Sequence, residues 1–70
     1  MSYYKLSGFV GSDYFNSKKI FRTRNEAIRY AFKHHLPYNA QLTEEIKRAD
    51  HDVEYVCDHY TRFFIKRHTI

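Results

Sequence analysis

The residues from Tyr3 to Val10 alternate. Tyr4, Leu6 and Val10 fall on one side of an extended chain, and Tyr3, Lys5, Ser7 and Phe9 on the other. This period of two predicts a strand with two partly apolar faces. Gly11-Ser12-Asp13 is a turn signal. Tyr14 to Arg22 reads as a second strand, broken at Asn16-Ser17. Within it, Lys18 and Lys19 are expected on opposite faces.

The period then changes. Thr23 followed by Glu26 is a capping box, in which the threonine hydroxyl accepts from the third helical amide and the glutamate reaches back. Ala27, Ile28, Ala31, Phe32 and His35 recur at helical spacing and predict one buried stripe on a helix to about His35. Glu26, Arg29 and Lys33 lie on the other side. Leu36-Pro37 stops the helix, because a residue before proline avoids the α region.

Asn39 is placed to cap a second, shorter helix to about Ala49, with Leu42, Ile46 and Ala49 as a narrow apolar edge. Glu44 and Glu45 fall early in it and Lys47 and Arg48 late, the order a helix dipole favours. Asp50-His51-Asp52 is a polar loop. Val53, Tyr55 and Cys57 alternate with Glu54, Val56 and Asp58 as a third strand. Asp58 to Thr61 makes a turn. Phe63 and Ile65 alternate with Phe64, Lys66 and His68 as a fourth.

The predicted order is β-β-α-(α)-β-β. It gives an α+β fold: a small antiparallel sheet of about four strands with one main helix packed on one face. The second face is expected to stay partly open, because alternate positions of its strands carry charges. An open face holding some of Tyr3, Phe9, Tyr14, Val56 or Phe64 is a candidate contact surface. Scattered surface aromatics are also common and need no function.

The strand-to-helix stretch resembles the small sheet-and-helix DNA-binding domains at the N-terminus of tyrosine-type integrases. Phe21, Thr23, Glu26, Ala27 and Ala31 carry the resemblance, which covers about one sixth of the chain. Those domains have three strands before the helix, and this chain reads as having two.

Length and composition narrow the picture. Seventy residues make a single small domain, 1–70. A chain of this size buries only about 60% of the surface its unfolded form exposes. Seven Tyr and six Phe offset part of that deficit, each burying about 150–250 Å². The start at Met1 is read as that of a complete small gene product. Cys57 is the only cysteine, so no internal disulfide forms. No leader-like segment precedes the first strand and no run is apolar enough for a bilayer. The expected setting is cytoplasmic and reducing, with no membrane.

The net charge of +4 is uneven. Residues 1–35 carry +5, residues 36–61 carry −4 and residues 62–70 carry +3. Six of the twelve Lys and Arg lie between positions 18 and 33. They are Lys18, Lys19, Arg22, Arg24, Arg29 and Lys33, and Lys66 and Arg67 are candidates to join them. Phosphates are bound by several cations on one face, and aromatics among them suit stacking on unpaired bases. A solvated charged face is the plainer reading.

The acids Glu44, Glu45, Asp50, Asp52, Glu54 and Asp58 form a weak row, diluted by Lys47, Arg48 and His51. Such a row imitates phosphate only when dense. Asp50-His51-Asp52 and Cys57-Asp58-His59 offer mixed ligands, but not the paired Cys and His spacing of a structural zinc site. His34 and His35 are adjacent and diverge on a helix. Cys57 and His59 are the only local nucleophile and base pair, and a buried thiol is the commoner outcome. The expectation is a non-enzymatic binding or regulatory protein without catalytic residues, metal or cofactor. Its expected partner, met by a basic, aromatic-bearing surface, is nucleic acid or an acidic protein face. The alternative is a protein-interaction or inhibitor module, including a homodimer, pairing through a sheet face or edge strand.

Overall fold

Residues 1–70 are all described by the computed structural model. Strands β1 (Ser2–Val10) and β2 (Asp13–Asn16) precede helix α1 (Arg24–His34). Strands β3 (Glu44–Lys47), β4 (Asp52–Val56) and β5 (Thr61–Thr69) follow it. All pairings are antiparallel, in one open sheet of order β2-β1-β5-β4-β3. The α+β architecture matches the sequence pattern, with five strands where about four were expected.

The first hairpin turns on Gly11, at φ 65°. Val10 and Asp13 close its two-residue loop, and a hairpin of this kind takes glycine where φ must be positive. Its strands then part at Asn16, where the sequence pattern breaks. Ser17 N still donates to Leu6 O at 3.0 Å, residues 18–20 leave the ladder, and Phe21 returns to it, exchanging two backbone hydrogen bonds with Tyr4 at 2.8 and 3.0 Å. Lys18 and Lys19 therefore sit in a loop, and strand alternation does not place them.

The expected helix forms. The Thr23 hydroxyl accepts from the Glu26 amide at 3.1 Å. Ala27 and Ala31 are fully buried, and their small side chains let α1 lie close to the sheet. Phe32 meets Phe63 edge-on, ring centroids 5.8 Å apart, and Tyr55 stacks on Phe63 from β4 at 4.9 Å. Leu6, Phe21, Val53 and Ile65 complete the centre of the core.

The expected second helix over Asn39–Ala49 does not form. Its middle is strand β3, paired with β4 from Glu44↔Val56 to Lys47↔Val53. The outer edge of β4 offers a row of unpaired backbone groups. Thr43 N donates to Val56 O at 2.8 Å and Arg48 N to Asp52 O at 2.7 Å, extending the ladder beyond both ends of β3. A helix here would have had little to bury, and Leu42 remains 43% exposed. The β3–β4 turn holds Asp50 and His51 at φ 59° and 62°, a left-handed region where Asp and His are among the enriched residues. Two strands stand before α1 and three after it, so the integrase-like resemblance does not extend to strand arrangement.

Candidate functional site

Helix α1 covers the side of the sheet that carries Leu6, Phe63 and Ile65. Strand alternation sends the intervening residues to the uncovered side. The β1–β5 register orders that side in bands. Tyr3 faces His68, Lys5 faces Lys66, Ser7 faces Phe64 and Phe9 faces Arg62. The short β2 adds Tyr14 beside Phe9 and Asn16 beside Ser7. Val56 lies on the same side through its pairing with Arg62. All five aromatic or apolar residues considered for an open face are on it.

The aromatic residues form a cluster. The Phe9 ring lies 5.1 Å from Tyr14, tilted, and 6.3 Å from Phe64, edge to face. Phe9 is 40% and Tyr14 58% exposed. Nothing packs over them. At the far end of the band Tyr3 and His68 stack with ring centroids 5.2 Å apart.

Acids on this side gather over β4 and β3. Glu54 is 1% exposed although no layer covers its face. Arg48 caps one carboxylate oxygen, its Nε donating at 3.0 Å, and Arg62 Nη1 donates to the other at 2.9 Å. Its charge is thus neutralised within the sheet, and Arg62 is held beside Phe9. The β2-β1-β5 half is left basic and aromatic.

The eight cations singled out by sequence divide among several places. Lys19, Arg29 and Lys33 line one groove beside α1, together with Glu26, Tyr30 and His34. Lys19 Nζ sits 5.0 Å from the Tyr30 ring centroid, a cation–π distance. Arg24 lies over Tyr4 at 5.1 Å and donates to Ile65 O at 3.1 Å. Arg67 is on the helix side of β5 and meets the His51 ring nitrogens at 3.1–3.2 Å. Lys66 points to the opposite face and does not join the helix-side set. Lys18 and Arg22 are exposed. The sequence pattern marked neither Lys5 nor Arg62, because their company depends on which strand lies beside β1.

The remaining clusters do not converge. No three His, Cys, Asp or Glu side chains come together at metal-binding range. The acids are scattered, with Glu54 consumed in ion pairs and Asp50 and Asp58 in separate turns. Cys57 is buried while His59 is exposed in the turn after β4. Burial, and then the neighbouring Asp58 charge, push the Cys57 thiol above its usual pKa. That direction is opposite to nucleophile activation. Comparison of the chain with protein-family models, with curated protein sequences and with solved structures finds no match.

Proposed function

We propose that this protein is a small binding module that takes single-stranded nucleic acid on the uncovered face of its sheet. One observation carries the reading: Phe9, Tyr14 and Phe64 cluster without a covering layer in the half of the sheet that also holds Lys5 and Lys66, neither of them in an ion pair. Aromatic side chains on a sheet stack on unpaired bases, and cations beside them neutralise the backbone. The groove beside α1 is the weaker candidate. Of its two apolar rings, Phe21 is buried, and Tyr30 is already engaged by Lys19 at 5.0 Å and by His34 at 4.3 Å.

The competing reading, self-association, has two routes, and each meets an obstacle. Both edge strands are four residues long, and β3 carries Glu44, Glu45 and Lys47. Short edges resist strand addition, and the charges of β3 add to that. Pairing two copies face to face would bury Lys5 and Lys66, which have no ion-pair partner in the chain.

The test is fluorescence anisotropy with labelled single-stranded RNA and DNA, and with duplex as a third arm, across a salt series. Single strands are expected to bind at low salt, with affinity falling as salt rises. Phe64→Ala and Phe9→Ala should each cost about 1–3 kcal/mol of binding. Absence of binding at low salt, or binding indifferent to both substitutions, overturns the reading. A concentration-dependent doubling of mass that both substitutions abolish would favour the dimer instead.

A further inference from the structure

The uncovered face contains a cross-strand pair that works against the fold. Lys5 and Lys66 stand directly opposite each other on β1 and β5, and like charges in that relation destabilise a sheet. Neither makes an ion pair, since the only ion pairs in the molecule are those of Glu54. Asp52 neighbours Lys66 on β4, yet it makes no ion pair and its Oδ1 is buried without a hydrogen-bond partner. Asp52 lines the same shallow depression, of about 220 Å³, together with both lysines, Ser7, Asn16, His68 and Phe64.

We infer that Lys5 and Lys66 form a phosphate-anchoring subsite, and that a single strand of nucleic acid runs along β1 and β5 rather than across the sheet. The inference rests on the reading of the face given above and fixes the ligand's path on it. Along β5 the uncovered side reads His68, Lys66, Phe64, Arg62, with successive side chains about 6.8 Å apart. Along β1 it reads Tyr3, Lys5, Ser7, Phe9. Cation and ring therefore alternate along β5, at a spacing that suits successive phosphates and bases of a single strand. A phosphate between Lys5 and Lys66 puts the next base at Phe64 and the following one at Phe9 and Tyr14. The crosswise path fails on charge. Beyond Lys66 it meets Asp52, and the band through Phe9 and Arg62 leads to Glu44. Ser7 and Asn16 add neutral donors at the anchored phosphate, and the ligand's charge removes the repulsion that the free protein bears.

The experiment compares the Lys5→Gln/Lys66→Gln double variant with a charge-matched control, Lys19→Gln/Lys33→Gln, using a labelled single-stranded oligothymidylate over a salt series. The first pair should bind more weakly by about tenfold, with a salt slope shallower by about 0.7 for each phosphate that the variant no longer neutralises. The control should bind as the wild type does. In the free state the first pair should melt no lower than the wild type, because an unfavourable pair has been removed. Loss of affinity in the control but not in the first pair would place the strand beside α1 and overturn the inference. So would a lowered melting temperature of the free Lys5/Lys66 variant, which would make the lysines structural. If Phe64→Ala weakens binding while Lys5→Gln/Lys66→Gln does not, this path is wrong and the sheet-face reading stands. If the wild type does not bind at all, both fall together.

Discussion

The imidazole of His35 lies flat against the ring of Phe15, with centroids 4.2 Å apart and planes 7° from parallel. This stack ties the edge strand β2 to the end of α1, where His35 is also the C-terminal cap. Its Nε2 is buried without a hydrogen-bond partner. Burial first, and then the neighbouring His34, hold His35 below its usual pKa of 6.5. The unfolded chain therefore takes up this proton at a higher pH than the folded one. The contribution of His35 to stability is complete above 6.5 and is lost as pH falls below it. The urea midpoint is expected to drop over that range. His35→Phe keeps a ring on Phe15 and should flatten the drop, and an unchanged pH profile in this variant would refute the assignment.

Glu54 between Arg48 and Arg62 gives a second expectation. A carboxylate that is buried and stripped of its partners is costly, whereas an apolar replacement of the whole cluster often is not. Removing both arginines by Arg48→Ala/Arg62→Ala should cost about 3–5 kcal/mol in urea unfolding. Each single change should cost less, because the other guanidinium remains. Adding Glu54→Leu to the double variant should restore most of the loss. Failure of that rescue would mean that the arginines stabilise the sheet by packing rather than by pairing.

Gly8 sits where β1 is crowded from two sides. A Cβ there would lie 2.5 Å from Arg62 O and 2.8 Å from the Phe15 ring. The ring can shift but the neighbouring strand cannot. Gly8→Ala should therefore cost about 1–3 kcal/mol, read as a fall in melting temperature of about 4–8 °C per kcal/mol in a domain this small.

Cys57 should react slowly with a thiol probe at neutral pH in the folded protein, and readily once urea exposes it. Burial limits access and its raised pKa limits the thiolate. Labelling as fast in the folded state as in urea would require the end of β4 to open freely.

Thr23→Ala should lower stability by about 1 kcal/mol through loss of its hydrogen bond to the Glu26 amide. Thr23→Ser should recover most of it.

Local grammar was legible in the chain because its causes span only a few residues. Thr23 capping, the Ala27–Ala31 stripe, the Pro37 stop and the Gly11 turn are each decided by neighbours in sequence, and each stands where the pattern put it. The segment around Ile46 was misread for the converse reason. Its charges and apolar spacing suit a short helix, but the free edge of β4 supplied backbone partners that no local pattern displays.

The sequence by itself determined an α+β fold and the position of α1. Only the tertiary structure decided which cations share a surface. Register brought Lys5 against Lys66 and Phe9 against Arg62 from opposite ends of the chain. It also removed Glu54 from the acidic row by enclosing it between two guanidinium groups. Strand pairing is a long-range choice, settled by burying one face of the whole sheet under α1, and what lies on the other face follows from it.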